Sequence, residues 1–237
     1  MALHETAPKL HPDKYESNFA DLVPAMTPRQ ALIEAERCLF CFDAPCTMAC
    51  PTHIDVPAFI KKITTNNLRG SARVILEANV LGASCGRVCP TEVLCEGACV
   101  MHEKGEEPIQ IGRLQRYSVD YVLENNVSLF HAGAPNGKRV ACIGSGPASL
   151  ACATELAKLG YSVTLFDRNG LPGGLNTHGI AAYKSRAAEG YKRGREYACS
   201  APHSKCAHPV DGGSGLWEGL QVSSRLSRPL RRRGISS

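Results

Sequence analysis

Eight of the chain's twelve cysteines fall into two groups whose spacing could hold metal. The first runs Cys38, Cys41, Cys46 and Cys50, with Pro51 directly after it. The second runs Cys85, Cys89, Cys95 and Cys99, with Pro90 after Cys89. Thiolate sulfur is a soft donor that iron–sulfur clusters and zinc both accept. The spacings lack the paired short knuckles of zinc ribbons and the Cys-and-His pairs of zinc fingers. Small or apolar neighbours (Ala44, Pro45, Ala49, Gly86, Val88, Leu94, Gly97 and Ala98) leave room for backbone amides to approach the sulfurs, where such hydrogen bonds set a cluster's potential. Iron–sulfur chemistry is the favoured reading; two zinc sites bracing a small helical domain are the alternative.

The Cys–Pro step in each group points the same way, because in ferredoxin-type runs that Cys serves the other cluster. A second kind of chemistry is written in Gly144-Ser145-Gly146-Pro147-Ala148-Ser149, a GxGxxS run between an apolar strand pattern and a helical one. Gly144 permits the tight turn, Gly146 lets backbone approach a pyrophosphate, and the helix start offers free N–H groups to it. Ser149 stands where a third glycine is usual, a position that only has to be small. Asp167, 23 residues after Gly144, is placed to meet a ribose hydroxyl. The glycine pair Gly173-Gly174 follows on a loop that suits a flavin.

These residues need elements to position them. Thr27-Pro28 reads as the start of a helix over RQALIEAERC, with Ala31, Leu32, Ala35 and Leu39 on one face. Pro57 opens a second helix, residues 70–79 form a third, and residues 112–124 a fourth, with Leu114, Tyr117, Tyr121 and Val122 towards one side. No alternating pattern appears before residue 130, so residues 1–130 read as an all-α domain with its cysteines in the connections. Residues 131–138 form a Gly/Pro/Asn-rich linker. Residues 139–143 then read as a buried strand, 147–159 as a helix ended by Gly160, and 161–166 as a second strand: a βαβ unit over 139–184. The fold class expected is α followed by α/β.

The 237 residues allow one or two domains, and the formal charge is +5. That charge is unevenly held: residues 1–185 carry 17 basic and 18 acidic groups, and residues 186–237 carry 10 and 4. The chemistry-bearing part therefore offers no electrostatic case for nucleic acid or membrane as a partner. No stretch approaches the ~18 apolar residues of a membrane span. The first residues have no apolar core of a secretory signal. Twelve cysteines without such a signal point to metal or redox chemistry in a reducing cytoplasm.

Residues ~15–184 resemble the N-terminal region of the small subunit of glutamate synthase and its relatives, most closely the NAD-dependent dihydropyrimidine dehydrogenases and their bacterial iron–sulfur flavoprotein subunit. The motifs that carry the resemblance are CLFCFDAPCTMACP, CGRVCPTEVLCEGACV, IGRLQRY, IGSGPASLACATELAKLGYSVTLFD and PGGL. It implies two [4Fe–4S] clusters in the helical domain, within residues 38–115, followed by a Rossmann-like FAD domain. It also implies that Cys38, Cys41, Cys46 and Cys99 hold one cluster, and that Cys50, Cys89, Cys95 and Gln115 hold the other. On that pattern Cys85 is not a ligand, although spacing alone nominates it. A glutamine at 115 looks like the dihydropyrimidine branch. The resemblance further implies that NAD(P)H reduces FAD, and that the clusters pass single electrons to an FMN-containing partner which reduces uracil or thymine.

Likeness to the family stops near Lys184, in mid-domain. Residues 185–237 carry eight Arg, eight Ser and seven Gly from Arg186 onwards, few aliphatics, and no period of useful length. Three readings stay open: a disordered basic arm, a small zinc site of Cys199, His203, Cys206 and His208, or out-of-frame translation, which the coincidence of boundaries favours. The FAD domain is then truncated and the NAD(P)H domain absent, so the expectation is weak or no FAD binding, NAD(P)H binding only in a full-length form, and no NAD(P)H oxidation by this chain alone.

Overall fold

The computed structural model describes residues 20–167, 169, 172–181, 183 and 184, isolated positions before residue 20, and the backbone of Gln221–Ser223. Helix α1 (Pro28–Glu36) begins where its sequence says. The Thr27 hydroxyl accepts from Gln30 N–H at 3.3 Å while Gln30 Oε1 accepts from Thr27 N–H at 2.9 Å, a reciprocal cap with Pro28 in the first turn. Its buried face is Ala31, Glu34 and Ala35. Leu32 and Leu39 are 40% and 48% exposed, so the periodicity placed two leucines inside that stand outside. The buried acid Glu34 takes that space because it has donors: Arg37 Nη1 at 2.8 Å and Gln110 N–H at 3.0 Å.

A short helix, α2 (Pro45–Ala49), sits inside the first cysteine group, followed by α3 (Val56–Thr64) and α4 (Leu68–Ala78). Asp55 and Asn67 cap α3 and α4 through Ala58 N–H and Gly70 N–H. Helices α5 (Gly82–Val88) and α6 (Ile111–Glu124) complete the helical unit, with 3₁₀ turns at Thr91–Val93 and Val100–Lys104 between them. Helices α2 and α5 fall in stretches read as connections, because five to seven residues with a cysteine and a glycine show no usable period.

The core between α3, α4 and α6 is Phe59, Ile60, Ile75, Leu76, Leu114, Val119 and Val122. A buried hydroxyl pair crosses it, Ser71 Oγ to Ser118 Oγ at 2.8 Å, and Ser71 also donates to Phe59 O. Tyr121 is 38% exposed, so α6 buries Gln115, Ser118 and Val119 on the face the sequence had partly given to tyrosines. Helices α5 and α6 approach so closely that a Cβ on Gly86 would lie 3.0 Å from Arg116 N and 3.2 Å from Gly112 O.

Residues 131–138 are irregular but not a free tether. Gly133 N–H donates to Ala157 O and Asn136 N–H to Gly160 O, both at 3.0 Å, so the segment lies against the end of the next helix. Strand β1 (Arg139–Ile143), helix α7 (Pro147–Lys158) and strand β2 (Ser162–Phe166) form the expected βαβ unit, but β1 is not the buried strand its apolar run suggests: Arg139, Ala141 and Ile143 are exposed and Val140 and Cys142 only half-buried. The two strands pair in parallel, Arg139 opposite Ser162 through Ile143 opposite Phe166. A single turn, α8 (Leu175–His178), follows the glycine pair on what was read as a loop. Strand β3 (Gln221–Ser223) pairs in parallel with β2 and gives the sheet order β1-β2-β3. A three-residue strand is too short to show a period, and the rest of 185–237, with Cys199, His203, Cys206 and His208, lies outside the described residues. No helix among the described residues is long and apolar enough to cross a membrane.

Candidate metal centres and nucleotide turn

Cys38, Cys41, Cys46 and Cys99 line a single pocket whose other walls include Val56, Ile60, Ile109 and Ile111. They arrive from three places: Cys38 and Cys41 from the turn after α1, Cys46 from the first turn of α2, and Cys99 from the bend before the second 3₁₀ turn. Burial pushes the Cys46 thiol up to about 11, and neighbouring Cys38 and Cys99 add to the rise. Burial likewise raises Cys38, with Cys41 and Cys99 contributing. Backbone amides resist this: Phe40 N–H donates to the Cys38 sulfur and Thr47 N–H to the Cys46 sulfur. Phe40 reaches that position with φ +51°, a left-handed residue that folds its amide back towards Cys38, and Lys61 Nζ lies 4.6 Å from its ring centroid. Around this pocket Phe42 is fully exposed and Met48 is 71% exposed.

The second group gathers Cys50, Cys89 and Cys95. Burial pushes the Cys95 thiol up to about 12, helped by Glu96, Cys89 and Cys50. Burial also raises Cys89, with Cys85, Cys50, Glu92 and Glu96 adding to it. Glu96 N–H donates to the Cys95 sulfur, and the Thr52 hydroxyl lies 3.5 Å from Cys50 Sγ. Glu96 has a second role: its Oε1 accepts from Gly112 N–H at 2.8 Å, tying the Cys95 turn to the start of α6. On that helix Gln115 is buried and donates through Nε2 to Gly82 O at 2.7 Å. Cys85 lies one turn before Cys89 on α5, and its sulfur accepts from Asn79 Nδ2 at 3.1 Å.

A zinc ion needs donors converging on one centre at about 2.3 Å. Among the described residues no three His, Cys, Asp or Glu side chains converge as a single ion requires. Four thiols around an otherwise apolar pocket, with peptide N–H groups aimed at the sulfurs, form a donor set that fits a thiolate-ligated iron–sulfur cluster.

In the βαβ unit, the two glycine motifs meet. Gly173 N–H donates to Ser145 O at 2.8 Å, and a Cβ on Gly174 would stand 2.8 Å from Gly146 Cα, so only glycine fits there. Ser149 is half-buried in the first turn of α7. Asp167 lies at the end of β2 but turns inward: its Oδ2 accepts from Ser145 N–H at 2.7 Å and from Ser145 Oγ at 2.6 Å, and its Oδ1 from Asn169 N–H at 2.8 Å. Burial acts to raise its carboxyl, but these donors outweigh it and hold it below the usual carboxylate range. The unit also touches the helical one. Asn176 Nδ2 lies 3.2 Å from Ser84 Oγ on α5, and Leu22 N–H donates to Tyr183 O at 2.8 Å. Arg116 holds the strap around residue 22 through Asp21 Oδ2 at 2.6 Å and Val23 O at 2.8 Å. Nothing in the spacing of the sequence signalled Phe40, Thr52, Glu96 or Ser84; each acts through a fold contact or a backbone group.

The architecture is an all-helical cysteine-rich unit ahead of a partial Rossmann-like βαβ unit. Residues 15–127 match the family model described as dihydropyrimidine dehydrogenase domain II, 4Fe-4S cluster, and residues 142–188 match that of an NAD(P)-binding Rossmann-like domain. The N-terminal region of this chain thus matches a dihydropyrimidine dehydrogenase-like iron–sulfur domain. Among curated relatives, the NAD-dependent dihydropyrimidine dehydrogenase subunit PreT of Salmonella typhimurium is 43% identical over 170 residues, and that of Escherichia coli strain K12 is 42% identical over the same length. A PreT homolog of Salmonella typhi is 43% identical over 170 residues. In each case the match covers 71% of this chain and 41% of the relative, so the chain spans about two-fifths of the relatives' length.

Proposed function

We propose that this chain is the electron-carrying front part of an NAD(P)H-dependent oxidoreductase of the dihydropyrimidine dehydrogenase type. Cys38, Cys41, Cys46 and Cys99 would hold one [4Fe–4S] cluster, and Cys50, Cys89, Cys95 and Gln115 a second. Gly144, Gly146, Ser149, Asp167, Gly173 and Gly174 belong to the FAD turn. When bound, these groups convert a hydride's electron pair into single electrons and relay them. The working form is cytoplasmic, and its partner is an FMN-containing subunit that reduces the C5–C6 bond of uracil or thymine.

The contact between Asn176 and Ser84 carries the reading. It seats the loop after the glycine pair on α5, the helix that leads to Cys89, so the second cysteine group is the one adjoining the nucleotide turn. The first group lies on the side where Phe42 and Met48 stand exposed, an apolar rim suited to a protein partner. Within the chain, burial keeps these thiols protonated; metal binding would release their protons to solvent, and the N–H groups of Phe40, Thr47 and Glu96 would then steady the thiolates. Asp167 supports the turn from below; any ribose contact from it gives up a Ser145 donor.

A brown protein absorbing near roughly 400 nm after anaerobic purification, with two cluster signals in EPR, is the expected result. A colourless, zinc-loaded chain would establish instead a non-catalytic zinc-binding module with a basic tail. A form extended to the relatives' length, assayed with its FMN partner, should reduce uracil. Turnover only with glutamine plus 2-oxoglutarate would assign it as a glutamate synthase small-subunit-like donor.

A further inference from the structure

An open groove beside the first cysteine group has Phe40, Cys41, Phe42, Met48, Pro57 and Lys61 in its walls. Cys41 and Pro57 also line the thiol pocket, so they form the partition between the two spaces. Lys61 lies one helical turn after Pro57 on α3, on the same side of that helix. Its Nζ stands 4.6 Å from the centroid of the Phe40 ring. Phe40 lies in the chain between Cys38 and Cys41 with φ +51°, a left-handed backbone that bulky side chains rarely adopt. Its ring is therefore placed by its surroundings rather than by backbone preference, and Lys61 is part of those surroundings. Among the described residues Lys61 forms no ion pair. Asp43 and Asp55 line the same groove, but the Asp55 carboxylate is turned to Ala58 N–H. An unneutralised cation is thus held on an aromatic face beside the first cysteine group.

We propose that Lys61 sets the reduction potential of the first cluster, holding it above the value the same chain would have without that charge. This rests on the two-cluster reading given above. A cluster that takes up one electron becomes more negative by one charge, and a cation fixed nearby stabilises that form. The ring supplies the fixing, because an ammonium seated on an aromatic face loses freedom that a lysine in open solvent keeps. Lys61 is nonetheless exposed, so dissolved salt weakens its hold on the cluster. Lys62 follows it on α3 but does not line the groove, and its charge is directed elsewhere.

The test is an EPR-monitored redox titration of the full chain, purified anaerobically, at about 0.01 M salt, where charges act over ~30 Å. The signal lost in Cys41→Ala assigns the first cluster. In Lys61→Gln the midpoint of that cluster is expected to fall, while the second moves less. Lys61→Arg keeps both the charge and its seat on the ring, and should return the midpoint to the wild-type value. Lys62→Gln should lower the first midpoint by less than Lys61→Gln does. At about 1 M salt, where charges act over only ~3 Å, the gap between wild type and Lys61→Gln should close. A first-cluster midpoint that stays put in Lys61→Gln at low salt overturns the proposal. So does a fall of equal size in Lys61→Arg or Lys62→Gln. A wild-type chain that binds no iron overturns the two-cluster reading and this proposal with it, and iron analysis tells the two failures apart.

Discussion

Gln115 Nε2 donates to the carbonyl oxygen of Gly82 at 2.7 Å, and that one bond decides which end of the amide is available to metal. The nitrogen is committed to α5, so Oε1 is the atom that would ligate the proposed second cluster. The helix carrying Gln115 is in turn fixed at its start, where Glu96 and Glu34 accept from Gly112 and Gln110 N–H. Glu96 directly follows Cys95. One carboxylate therefore aligns the thiol and the amide assigned to the second cluster.

Gln115→Ala is expected to remove one cluster and spare the other. Iron per chain should fall by about half, with one EPR signal lost and the other unchanged. Gln115→Glu restores an oxygen donor but adds charge and gives up the donor to Gly82, so iron should return while the potential of that cluster falls. Unchanged iron and spectra in the alanine variant would remove Gln115 from the ligand set.

Thr52→Val tests a hydroxyl that no spacing rule would have found. Its Oγ1 lies 3.5 Å from Cys50 Sγ, and hydrogen bonds to sulfur stabilise the reduced, more negative cluster. Valine keeps the volume and deletes that donor. The cluster on Cys50 should become harder to reduce, by no more than about 60 mV if the bond contributes up to ~1.5 kcal/mol. An EPR-monitored redox titration reads it, with the cluster on Cys38 as the internal reference.

Gly86→Ala should destabilise the helical unit by ~1–3 kcal/mol, because a Cβ there meets Arg116 N at 3.0 Å and backbone cannot move aside as a side chain can. Thermal unfolding measures the loss. Iron bound by the second group should fall with it, since α5 also brings in Cys89.

How much of this was legible in the sequence follows the range over which each signal acts. Thr27-Pro28 and the βαβ unit could be read because caps, strand runs and glycine turns are local. Helices α2 and α5 could not, because five- and seven-residue helices packed around cysteines leave no period to detect. Leu32 went wrong for a related reason: hydrophobicity predicted burial, but Glu34 had Arg37 and Gln110 as partners and occupied the inside face. At the site, the cysteines announced themselves by type. Their supporting groups did not, since Phe40, Thr47 and Glu96 act through backbone N–H, which every residue but proline possesses.

Asp167 gives the pH prediction. Its carboxylate accepts two bonds from Ser145 and one from Asn169 N–H, and its pKa lies below the unfolded value of about 3.9. A depressed pKa means that the folded state favours the charged form. The stabilisation is therefore complete above the unfolded pKa and is lost as pH falls through the folded one. Amide exchange at Ser145 should show a local stability that is flat at neutral pH and declines below about pH 4. Asp167→Asn should abolish that decline and cost ~1–3 kcal/mol at pH 7, because one acceptor oxygen becomes a donor facing Ser145 or Asn169. Ser145→Ala removes one of the three donors and should leave a smaller decline over the same pH range. A βαβ unit whose Ser145 protection ignores both substitutions would show that the turn is held by Gly173 and Gly174 alone.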